Sequence, residues 1–200
     1  MSTPVYLVIG LTKDGFDHYS GEARIYRFKK AGSSGVTPEL VEGLKKGLIG
    51  HGFIVVGSRT MELGQDGFHS QRRQYHTKAL LGIARTVAKG LSDWHVKVLL
   101  ITDADIYDTG SLFVAGQAEV NGRAAVISVS RLAAGDEPRF LGRVLKEALH
   151  ELGHSLGQGH CRDHDCVMFA SRVLADSDVK DHDFCPRCRT KVGRALFLEK

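Results

Sequence analysis

Seven side chains able to hold a metal ion fall between residues 150 and 188 of this 200-residue chain: His150, His154 and His160, then Cys161, Cys166, Cys185 and Cys188. In His150-Glu151-Leu152-Gly153-His154 a separation of four residues turns both imidazoles to the same side of a helix, one turn apart. Two nitrogen ligands for one zinc follow. Glu151 projects from the neighbouring position toward the same cleft, placed to take a proton from an attacking water rather than to coordinate. Gly157, three residues after His154, can end the helix in a left-handed conformation, and the chain can then fold back so that His160 supplies a third ligand. Three histidines leave one coordination position open, as catalytic zinc requires. The bare five-residue pattern says little alone, and the glycine and third histidine at fixed offsets make it specific. The competing reading, histidines that merely cap or pack a helix, accounts for one such residue more readily than for three.

Cys161-x4-Cys166 and Cys185-x2-Cys188 form two ligand pairs whose spacings suit a closed tetrahedral sulfur site, a structural zinc with no room for water. A segment this poor in apolar residues would gain order from that metal. Redox pairing at Cys185-Pro-Arg-Cys188 is the rival, but it leaves Cys161 and Cys166 unexplained. His164 and His182 are replacement ligands or solvated surface residues. The carboxylates from Asp163 to Asp183 read as a solvated face, since no calcium-loop spacing occurs.

These groups need a scaffold. Val5 to Ile9, Ile54 to Val56 and Val96 to Ile101 are β-branched runs that read as strands. A helix is expected from Thr37, an N-cap ahead of Pro38 and Glu39, to Gly50, with Leu40, Val41, Leu44 and Leu48 on one face. A second is expected over about 70–89. Strands alternating with helices imply βαβ units and a largely parallel sheet. Asn121-Gly122 between apolar runs signals a hairpin, hence one antiparallel strand at the edge, along which residues 112 to 119 can accept an extended peptide. A third helix, about 138–156, carries the histidines behind a broad apolar face. Gly32-Ser-Ser-Gly35 reads as a loop within one domain.

Composition narrows the classes. Hydrophobic residues at 42% suffice for a core, and a net charge of +4 is too small and too scattered to argue for nucleic acid. No apolar stretch approaches the roughly 20 residues a membrane helix needs. The N-terminal residues lack a basic segment followed by an apolar one, so a cytoplasmic protein is expected.

On these residues the chain resembles a known family. His150-Glu-x-x-His154-x-x-Gly157-x-x-His160 is the metzincin zinc signature. The following Cys161-x4-Cys166-x-Met168 and Phe184-Cys185-x-x-Cys188 are similar to the archaemetzincin branch, as are Ile101-Thr-Asp-Ala-Asp-Ile-Tyr107, Leu112-Phe-Val-Ala-Gly-Gln-Ala118 and Ser128-Val-Ser-Arg-Leu132. The resemblance implies an α/β (α+β) single domain over residues 1–200: a twisted, mixed, mostly parallel sheet with an antiparallel edge strand, an active-site helix across the centre, residues 1–157 above a cleft and a zinc-stapled part, 158–200, below. It also implies that Met168 is the Met-turn residue beneath the catalytic zinc. No tyrosine lies near Met168 to stabilise an oxyanion, as happens in some other metzincins.

The expected protein is a zinc metallopeptidase with two zinc ions per chain, Glu151 as general base, a peptide or protein substrate, and a monomeric state. The residues leave aminopeptidase and endopeptidase action equally open. An alternative keeps the metal without the chemistry, as a peptide-binding or regulatory protein. A nucleic-acid-binding zinc ribbon, suggested by Arg187, Arg189, Lys191 and Arg194, is opposed by the neighbouring aspartates.

Overall fold

The computed structural model describes residues 5–11, 36–60, 63–93, 95–133, 135–171 and 174–196; the Gly32–Gly35 loop expectation lies outside them. Two strands supply the frame. β5 (Lys97–Thr102) and β8 (Ala124–Ser128) pair in parallel and are buried along their whole length. Their side chains alternate between two cores. Leu99, Ile101, Ala125 and Ile127 face α1 (Pro38–Gly50) and α3 (Glu137–Ser155). Val98, Leu100, Ala124 and Val126 pack in the core of α2 (Thr77–Lys89). Burial on both faces explains why these strands read as unbroken apolar runs.

The complete sheet has the order β2-β1-β5-β8-β7, with β1 spanning Val5–Leu11, β2 Phe53–Thr60 and β7 Gly116–Ala118. It is mixed, and β7 is the antiparallel edge strand, both as expected. The expectation that it is mostly parallel is corrected. β1 runs antiparallel to both β2 and β5, leaving β5 and β8 as the parallel pair of this sheet. The physical reason lies in the connections. α1 delivers Phe53 beside Leu11, the end at which β1 finishes, whereas a single βαβ crossover would return it beside Val5.

α1 starts where expected, with the Thr37 hydroxyl accepting from the Leu40 backbone N–H at 3.2 Å. α2 is shorter than the 70–89 periodicity suggests. Arg73 adopts a positive φ of 55°, and β3 (Phe68–His69) and β4 (Gln74–His76) form a second sheet with β6 (Ile106–Tyr107). Tyr75 thus belongs to a strand, its hydroxyl donating to the Gly64 carbonyl at 3.0 Å. Past α3 lie two helices that no periodicity announced, α4 (Leu174–Val179) and α5 (Pro186–Leu196). No described helix is long and apolar enough to cross a membrane.

The hairpin at Asn121-Gly122 forms, with Gly122 N–H donating to the Glu119 carbonyl at 2.9 Å and Asn121 alone of the pair in the left-handed region. Its tip is stapled to the end of α3: Asn121 N–H donates to the His154 carbonyl at 3.0 Å. Buried Lys97 adds a second tie, its Nζ donating to the Gly122 carbonyl at 2.7 Å and the Ser155 carbonyl at 3.1 Å. Lys97→Met removes the ammonium that makes both bonds, and urea titration is expected to show a loss of about 1–3 kcal/mol. An unchanged midpoint would show that the staple contributes nothing to stability.

Candidate active site

α3 begins at Asp136, whose carboxylate accepts from Arg139 N–H at 3.1 Å, and it ends in a Schellman turn. Gly157 has φ +83°; its N–H donates to the His154 carbonyl, and that of Gln158 to the Gly153 carbonyl, each at 2.9 Å. The turn does what the sequence required of Gly157. It reverses the chain so that the Gln158 carbonyl meets His154 Nδ1 at 2.7 Å and His160 joins the other two imidazoles. Ligand atoms of His150, His154 and His160 all lie within 4.8 Å of one another.

A zinc ion fits this set on three grounds. His150 Nδ1 is bonded to the Val167 carbonyl at 2.8 Å and His154 Nδ1 to Gln158, so both rings keep the proton on Nδ1 and turn the Nε2 lone pair inward. The two Nε2 atoms stand 3.1 Å apart, near the ~3.3 Å edge of a tetrahedron with metal–nitrogen bonds of about 2.0 Å. Burial keeps the rings neutral. The His150 imidazole is driven down to about 3 by burial and then by the nearby Lys180 cation, and burial also lowers His154.

Glu151 is buried beside the imidazoles, with Oε2 enclosed and without a hydrogen-bond partner. Burial, and next the neighbouring carboxylate of Glu147, hold its proton affinity well above the usual carboxylate range. Gly116 of the edge strand presses on this pair; a Cβ there would stand 2.7 Å from Glu151 Cγ and 2.9 Å from Glu147 Oε1. Met168 is fully buried under α3, where a side chain at Gly153 would overlap its sulfur.

Cys161, Cys166, Cys185 and Cys188 also converge, with sulfur atoms within 4.8 Å and no disulfide. Cys161 and Cys185 Sγ are 3.8 Å apart, the edge expected for zinc–sulfur bonds of about 2.3 Å. Although burial opposes it, the Asp163 backbone N–H and the Arg187 guanidinium, with the neighbouring thiols, bring the Cys161 thiol down to about 7. Cys185 does precede a helix, the setting of redox pairs, but all four sulfurs share one centre and the rival pairing uses only two. His164 stacks near Phe169 and His182 lies beside Asp181, so neither joins a ligand set among the described residues.

The cleft, about 870 Å³, runs between β7 and α3. The free strand edge is shorter than the 112–119 expected: Val114 N–H is taken by the Ile106 carbonyl, and β7 itself spans only Gly116–Ala118. Three groups on this site escaped sequence reasoning. Glu147 was legible, one turn before Glu151 on the same helical face. Gly116 lay within the expected edge, but nothing local marked its contact with Glu151, and Lys180 carried no local signal, because only the tertiary fold brings them to α3.

Two clustered ligand sets and an edge strand over a helical carboxylate define a metal-dependent hydrolase, and comparison with known proteins makes it specific. The model described as Peptidase family M54 matches residues 43–194. Archaemetzincin of Methanopyrus kandleri is 41% identical over 145 residues, 72% of this chain and 81% of the relative; that of Archaeoglobus fulgidus is 38% identical over 125 residues, 62% and 72%. The crystal structure of the Methanopyrus kandleri protein superposes with a TM-score of 0.69 at 36% identity, covering 82% of this chain and 91% of that one. A zinc-dependent peptidase from Methanocorpusculum labreanum gives 0.63 at 27% identity, covering 78% and 92%. The chain belongs to peptidase family M54, among the archaemetzincins, and is a zinc metallopeptidase that hydrolyses peptide bonds.

Gly116→Ala is expected to displace the carboxylates below it and cut peptidase activity about tenfold or more, with the melting temperature within a few degrees of the parent. Parental activity would show that the close approach of β7 to Glu151 is dispensable.

Proposed function

We propose that His150, His154 and His160 hold the catalytic zinc of this peptidase, that Glu151 is its general base, and that Cys161, Cys166, Cys185 and Cys188 hold a second, structural zinc, giving two zinc ions per chain. The observation that carries this is the convergence of three imidazoles beside the enclosed, unpartnered Oε2 of Glu151. Zinc, when bound, polarises the scissile carbonyl and eases deprotonation of the attacking water. Glu151, deprived of hydration by its burial, accepts the water proton and passes it to the leaving amine. The Val167 and Gln158 carbonyls keep His150 and His154 aimed as ligands, and Met168 packs beneath α3 as the Met-turn residue. The edge of β7 aligns an extended peptide or protein substrate along the cleft.

The same reading makes residues 1–200 a single domain, with 1–157 carrying α3 and 158–200 the four-cysteine part. All its site residues come from one chain, which fits a monomer, and four unpaired thiols at one centre fit the reducing cytoplasm. Neither a nucleic-acid nor a membrane partner enters this reading.

Glu151→Ala is expected to retain zinc by metal analysis while losing about a hundredfold or more in peptide hydrolysis, scored by mass spectrometry on a mixed library. Retained turnover would remove Glu151 from the proton transfer. Binding without cleavage by the parent would favour a regulatory role. Cys188→Ser is expected to release about one zinc per chain and to lower the melting temperature; an unchanged value would count against a structural metal.

A further inference from the structure

Lys180 follows α4 directly and is 2% exposed, although lysine is almost never buried unless its ammonium is partnered. Two of its donors are spent on the chain around Met168. Nζ donates to the Val167 carbonyl at 3.1 Å and to the Phe169 carbonyl at 3.2 Å, so one cation grips the carbonyls of the residues before and after that methionine. The Val167 carbonyl is also the acceptor for His150 Nδ1 at 2.8 Å. The carboxylates of Glu147 and Glu151 face the ammonium from α3, with Cys166 also nearby, while Lys146, of like charge, is engaged by the Ser177 carbonyl. Lys180 itself is delivered by α4, which is tied to α3 where the Arg143 guanidinium clasps the Asp178 carboxylate with two bonds of 2.6 Å.

We infer that Lys180 is a positioning residue of the metal centre, acting through the Val167 carbonyl to hold His150 in the orientation and tautomer that present Nε2 to zinc. The inference rests on the reading of His150 as a zinc ligand. His154 provides an internal control. Its Nδ1 is bonded to Gln158, on the turn that ends α3, and that carbonyl is not among the acceptors of Lys180.

The test compares the full chain with Lys180→Met and Lys180→Gln, using zinc competition against a chelator and the NMR signals of the histidine Nδ1–H protons. In Lys180→Met zinc affinity at the histidine site is expected to fall about 10- to 100-fold. The His150 Nδ1–H signal should shift or broaden while that of His154 stays in place, and kcat should fall with KM nearly unchanged. Lys180→Gln, which keeps a donor, should lose less, and it decides the matter by itself should the Met variant fail to fold. Parental affinity with an unmoved His150 signal in a folded variant overturns the inference. So do equal shifts of His150 and His154, which mark general loosening. A parent whose His150 signal ignores zinc overturns the ligand assignment and this inference together, and is recognised before any variant is examined.

Discussion

The hydrogen bond from His150 Nδ1 to the Val167 carbonyl joins α3 to the segment that returns beneath it. His150 stands on a long helix fixed by the sheet, whereas Val167 lies in an irregular segment whose Val167 and Met168 side chains are buried in the core with that helix. For that carbonyl to meet the imidazole, the chain after α3 must turn back, run beneath the helix and be held there. The Schellman turn at Gly157 provides the reversal. The return is fixed by backbone bonds between neighbouring segments: Cys161 N–H to the Met168 carbonyl at 2.9 Å, and Val167 N–H to the Asp183 carbonyl at 2.8 Å. Both lie at or next to cysteines of the sulfur centre, so a metal held there would order the segment that meets the first histidine.

Burial makes the site chemically useful and also makes it costly. His150 and His154, kept neutral by desolvation, are good ligands, and a carboxylate without hydration is a strong base, yet an enclosed oxygen with no hydrogen bond opposes folding. The compensation comes from the core between the sheet, α1 and α3, which fixes α3 along its apolar face irrespective of what its polar face carries. The arrangement concentrates unfavourable polar burial on one helix that is too well packed elsewhere to yield.

Local chemistry was the most legible part. The Thr37 cap, the span of α3, the turn at Gly157 and the edge hairpin follow from side chains acting on their own neighbourhood, and each appears where the residues put it. Strand direction was less legible, because it depends on where a connection lands; α1 returns to the end of β1 at Leu11, which periodicity does not encode. The start of α2 was misread since Tyr75 continues the helical spacing but pairs with Ile106. Of the candidate site, the two ligand sets and Glu151 were visible as spacings. Lys180 was not, for a lysine among aspartates reads as solvent-exposed until α4 turns it inward.

The second, small sheet explains why the free edge beside the cleft is short. A free strand edge offers alternating N–H and carbonyl groups to any extended chain. Upstream of β7 those groups are already engaged: Val114 N–H by Ile106, and the Leu112 carbonyl by Arg72 at 2.8 Å and Gln74 at 3.1 Å. The same bonds leave Leu112 82% exposed on the rim of the cleft, while Arg131, held by Asp105, covers the Phe113 ring. The free main-chain edge is therefore confined to the stretch directly above Glu151, where Gly116 lets the backbone come closest. Beyond it the cleft presents side chains on a fixed backbone, so the sheet that shortens the edge also sets the shape of what lies next to it.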